Sequence, residues 1–159
     1  MIVIEAHGIS EKVIQTLEAQ GIPIRRKLDI DLPALPDDIT AIDDQELMRL
    51  ANVYMQYYSF MLTQVTAAEL AVLEVENEYD MAEAKAMLGK TTGKTTEKSI
   101  MLRAHVLTDP EMQELSRNKL QAQAYHKLLK TTLDNLERSY QLTSRELTRR
   151  TSVLKARGF

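Results

Sequence analysis

The amino-acid sequence predicts a mainly α-helical, oligomeric protein. Two long antiparallel coiled-coil helices are joined by a short helical connector and carry a small N-terminal strand-helix-strand appendage. Three observations point there. Residues 44–88 and 111–157 are two long stretches without Pro or Gly, which removes the usual helix breakers from both. Each stretch keeps a largely apolar row at a 3.5-residue repeat, which a surface helix of period 3.6 drifts away from. The chain has no Trp and only two Phe, with eight Met and abundant Ala and Leu, a composition suited to helices packed through small and flexible side chains.

The elements follow in order. Met1 to Ile4 is a short apolar, β-branched run, and Ser10 to Gln20 places Val13, Ile14 and Leu17 on one helical side. Gly21-Ile22-Pro23-Ile24 turns the chain into a second extended piece, so residues 1–28 form the appendage. It is too small to bury a core alone and must dock on something larger. Residues 29–43, with Pro33, Pro36, Asp29, Asp31, Asp37 and Asp38, have the composition of an extended acidic linker.

Residues 44–159 are the helical, oligomerisation and binding region. Asp43 followed by Glu46 is a capping box that starts the first long helix. Its seam alternates Leu47, Tyr54, Met61, Ala68, Val75 and Ala82 with Ala51, Tyr58, Val65, Val72, Tyr79 and Ala86, all apolar or aromatic. Gly89 stops it, and Ser99 to Leu107 is a partial helix in the connector. Asp109-Pro110-Glu111 supplies an N-cap, a first-turn proline and a first-turn acid for the second long helix. There the seam alternates Leu115, Ala122, Leu129, Leu136 and Thr143 with Lys119, His126, Leu133, Tyr140, Leu147 and Leu154, up to Gly158. At 1.5 Å per residue each rod spans roughly 65–70 Å. Met48, Leu62, Leu70, Leu73 and Met87 fall off the first seam, so other subunits are expected to cover them.

With 159 residues the chain makes one domain of ordinary size the expectation. It has no Cys, which excludes disulfides and thiolate metal sites. No window approaches the roughly 20 apolar residues of a membrane span, and the N-terminus lacks a leader pattern, so a soluble, cytosolic protein without membrane contact is expected. The net charge is −3, but it is unevenly spread. Residues 1–84 hold 5 Lys/Arg against 16 Asp/Glu, and residues 85–159 hold 15 against 7. Such polarity suits either a polyanion partner or packing against an acidic neighbour.

Sequences that suggest chemistry mostly fail on spacing. Gly89-Lys90-Thr91-Thr92-Gly93-Lys94-Thr95 has three residues between its glycines where a phosphate-binding loop needs four, and a helix rather than a strand precedes it. His7, His105 and His126 are scattered without i, i+4 pairing, and the Asp37, Asp38, Asp43, Asp44 group lacks a glycine-centred calcium loop. No catalytic set, metal site or cofactor is expected, and the protein reads as a non-enzyme. The basic residues carry more. Lys85, Lys90, Lys94, Lys98 and Arg103 recur through the connector among Thr91, Thr92, Thr95, Thr96 and Ser99, a pattern able to hold a sugar-phosphate backbone without reading bases. A solvated lysine turn is the plainer alternative. Arg138, Arg145, Arg149, Arg150, Lys155 and Arg157 form a second basic group, suited to DNA, to ion pairs with the acidic first helix of a neighbouring subunit, or to the helix dipole. Tyr54, Tyr57 and Tyr58 suit a core or an interface better than a base-stacking platform.

Over about residues 44–157 the layout resembles the UvsY-type recombination mediators of bacteriophages. The likeness rests on the aromatic start Tyr54-Met-Gln-Tyr-Tyr58, the basic helix end Lys85-Ala-Met-Leu-Gly-Lys90, and a C-terminal helix beginning Leu120-Gln-Ala-Gln-Ala-Tyr125-His-Lys-Leu-Leu129 and continuing to Leu133 and Leu136. The tail Ser144-Arg-Glu-Leu-Thr-Arg-Arg150 also resembles phage proteins. The resemblance implies a helical homo-oligomer in the host cytoplasm that binds single-stranded DNA without sequence preference and works beside a recombinase or a single-strand binding protein. It implies DNA contact at Lys85, Lys90 and Lys94, and self-association through Leu129, Leu133, Leu136, Tyr140 and Leu147. The appendage and the acidic linker have no counterpart in it. A structural or adaptor coiled coil, such as a virion assembly factor without DNA binding, is the alternative expectation.

Overall fold

The computed structural model describes residues 2–3, 6–88, 100, 104 and 108–156. Among these, the chain is mainly helical: α1 spans Gly8–Ala19, α2 spans Asp44–Leu88 and α3 spans Pro110–Ala156. Strands β1 (Ile2–Val3) and β2 (Lys27–Leu28) pair antiparallel, with Ile2 opposite Leu28 and Val3 opposite Lys27. The two long helices pack together. The chain divides into two compact units, Met1–Glu5 with Pro23–Val65 and Leu128–Phe159, and Ala6–Ile22 with Thr66–Lys127.

Local chemistry sets the helix starts. The Asp43 carboxylate accepts the Glu46 amide at 2.8 Å, capping α2. Glu46 does not return the bond as a capping box would; its carboxylate takes Arg49 at 2.7 Å on both oxygens. Asp109 caps α3 by accepting the Glu111 amide at 2.9 Å, with Pro110 as the first helical residue.

In the first unit, α2 buries two rows. One is the expected seam, of which Leu47, Ala51, Tyr54, Met61 and Val65 are buried. The other, Leu50, Val53, Tyr57, Phe60 and Gln64, repeats at the same 3.5-residue spacing and is also buried. Part of this doubled face is covered by the segment expected to be a free linker. The Tyr57 hydroxyl donates to the Ile30 carbonyl, and the Tyr54 hydroxyl donates to the Pro33 carbonyl at 3.1 Å. Leu28 of β2 is fully buried. Tyr54 and Tyr57 are thus core residues with satisfied hydroxyls, and burial pushes both phenols above their ordinary range, for Tyr57 with help from Asp31. On α3, Leu133, Leu136 and Thr143 are buried. Thr143 fits an apolar seam because its hydroxyl donates to its own helix, to the Ser139 carbonyl at 3.1 Å and the Tyr140 carbonyl at 2.9 Å.

In the second unit, the remaining seam of α2 is half-buried at Val72, Val75, Tyr79, Ala82 and Ala86. The Gln123 amide donates to Glu76 at 2.6 Å, and the Lys119 ammonium lies 5.0 Å from the Tyr79 ring centre. The α1 helix starts at Gly8, where φ is +53°. There the Glu74 carboxylate accepts the Ile9 amide at 3.2 Å and occupies the space a Cβ on Gly8 would need. Ile14 is buried and Leu17 half-buried, while Val13 is 42% exposed.

Candidate nucleic-acid interface

Of the five basic residues expected to meet DNA, Lys85 is described; Lys90, Lys94, Lys98 and Arg103 lie outside the described residues, as do the Thr91, Thr92, Thr95, Thr96 and Ser99 hydroxyls. Lys85 stands exposed in the last turn of α2, where a cation also complements the helix dipole. It lines a groove of about 530 Å³ in the second unit whose other charged walls are Glu78, Asp109 and Glu111 and whose apolar walls include Met81, Met112 and Leu115. Three carboxylates around one ammonium make this groove acidic.

The C-terminal basic group separates into occupied and exposed members. Arg150 spends all five of its N–H donors inside the first unit. Its two terminal nitrogens reach the Ile42 carbonyl at 2.8 Å, Asp44 at 2.6 Å, the Ile39 carbonyl at 3.2 Å and the Thr40 carbonyl at 3.1 Å, and its Nε reaches Glu146 at 2.8 Å. Arg149 forms a two-pronged pair with the same Glu146, at 2.7 and 2.6 Å. The paired guanidinia of Arg149 and Arg150 hold the Glu146 carboxyl down at about 2, and Glu146 is only 6% exposed. Arg150 thereby fastens the end of α3 to residues 39–44 at the start of α2, while the Arg149 pair lies within α3 itself. Lys130, Arg138 and Arg145 are exposed and in no ion pair among the described residues. For Lys155 and Arg157 the side chains lie outside the described set.

The residues expected to drive self-association are placed on the inner side of α3: Leu133 and Leu136 are buried in the chain itself, and Leu129, Tyr140 and Leu147 are half-buried. Leu154, expected on the same seam, is 48% exposed. Of the off-seam apolar residues on α2, Met48, Leu62 and Leu73 are about half exposed and Leu70 is half-buried; the Met87 side chain lies outside the described set. Among the described residues no group of three or more His, Cys, Asp or Glu side chains converges to hold a metal ion. No described helix is long and apolar enough to cross a membrane.

Sequence reasoning missed the Arg150 junction. No local pattern could reveal it, since all its partners but Glu146 sit more than a hundred residues upstream. No family model, curated protein or solved structure matches this chain.

Proposed function

We propose that this chain is a non-enzymatic, self-assembling helical protein that holds single-stranded DNA by its sugar-phosphate backbone, a recombination or replication accessory of phage type. The observation that carries this is the sorting of its cations. Arg150 is consumed by structure, and Arg149, though exposed, is paired to Glu146 on its own helix. Lys130, Arg138 and Arg145 on α3 and Lys85 at the mouth of the connector are instead exposed and in no ion pair among the described residues. The connector adds Lys90, Lys94, Lys98 and Arg103 against the single acid Glu97. Phosphate neutralisation needs such clustered, unspent charge, and copies of it multiplied by assembly give affinity without base readout.

The pairs Glu76–Gln123 and Tyr79–Lys119 step in opposite chain directions, which supports an antiparallel coiled-coil arrangement of α2 and α3 in the second unit. A second reading, a structural or adaptor coiled coil using its charge only to pack subunits, is favoured by the acidic walls around Lys85.

A salt titration with an oligo-dT strand separates the two. The DNA reading expects binding that weakens steeply with salt, and a slope of log K against log salt reduced by about 1 to 2 in Lys90→Ala/Lys94→Ala. No measurable binding at low salt removes it and leaves the structural reading.

A further inference from the structure

We propose that the outer face of α2 from Met48 to Leu62 is a contact between two copies of this chain, packed antiparallel about a two-fold axis. The inference rests on the self-association half of the proposed function and names the surface responsible. Two rows of this segment are already buried within the chain. A third, Met48, Asn52, Met55, Ser59 and Leu62, has the same 4-3-4-3 spacing and faces outward, with Met48 50%, Met55 51% and Leu62 47% exposed. Its large apolar residues recur once per heptad, with small polar Asn52 and Ser59 between them.

The occupant is a second copy for reasons of charge and size. From Leu50 to Ala68 there is no Asp, Glu, Lys or Arg, so the row from Asn52 to Leu62 brings no charge of its own to a second copy. The following residues 69–83 hold six acids, which would drive a like surface away. The row also alternates large apolar with small polar side chains. In an antiparallel pairing with its axis at position 57, Met55 faces Ser59 of the second copy and Leu62 faces Asn52 of the second copy, so each large side chain meets a small one. Each contact is repeated by the symmetry. A parallel pairing instead stacks Met on Met and Ser on Ser. A groove of about 390 Å³ opens beside Ser59, with Ile24 and Phe60 among its walls, and receives the incoming Met55 thioether. The charged wall of that groove, Arg25, donates to Gln56 at 3.1 Å.

The chain has no Cys, so single introduced thiols report cleanly on this contact. A tagged Met55→Cys chain is mixed with an untagged Ser59→Cys chain, and oxidised glutathione takes up the two electrons as the thiols join. The antiparallel contact yields the mixed disulfide ahead of either like-with-like product; like-with-like products alone overturn it. In parallel, Met55→Glu/Leu62→Glu is expected to lower the mass in solution roughly twofold at unchanged helicity. Unchanged mass overturns the inference while leaving self-association elsewhere intact, and a monomeric wild type removes both. If the double variant loses helicity, the cross-linking result decides. Oligo-dT binding by the Met55→Glu/Leu62→Glu chain reports separately on the nucleic-acid reading.

Discussion

At the scale of single residues, Arg150 and Glu146 show how a basic tail becomes structural. A guanidinium that satisfies three backbone carbonyls and two carboxylates leaves nothing for phosphate. The tail was legible as basic, and ion pairing with a neighbouring subunit's acidic helix was among its three expected roles; that Arg150 instead pairs with Asp44 of the same chain was not legible, because only folding brings residues 39–44 to it. Glu146 gives this junction a pH dependence. Its carboxyl is depressed from an ordinary 4.5 to about 2, so its contribution is complete above about pH 4.5 and is lost as pH falls through about 2. Thermal melting of Glu146→Gln beside the wild type should show the largest deficit above pH 4.5, with the two curves converging toward pH 2. A deficit independent of pH would deny the carboxylate this role.

At the scale of elements, the helix starts were readable because capping is local chemistry: Asp43 and Asp109 lie where side-chain oxygens accept first-turn amides. Asp109→Ala is expected to cost about 1 kcal/mol in denaturant unfolding; a change within a few tenths would show that α3 is set by packing alone. The seam of α2 was equally readable, since all twelve of its residues are buried or half-buried. The second buried row through Leu50, Tyr57 and Phe60 was present in the same letters at the same repeat. It went unread because residues 29–43 looked like a linker, whereas the tyrosine hydroxyls of α2 bind their carbonyls. Pro and Asp content reports a lack of regular structure, and it says nothing about whether an irregular segment is packed.

At the scale of the whole molecule, α3 has a face buried within the chain and α2 has one left exposed. Leu133 and Leu136 are buried within the chain, and the row from Met48 to Leu62 is the surface proposed to meet a second copy. In the proposed assembly each copy would bring its own basic connector sequence, so that a chain of net charge −3 would meet a polyanion through more than one such segment. The most direct test is sedimentation of the protein with and without labelled oligo-dT at low salt, reading mass and bound strand together. The account predicts a multimer that carries the strand as one sedimenting species and releases it at high salt without dissociating; a monomer, or a multimer that leaves the strand behind at low salt, would contradict it.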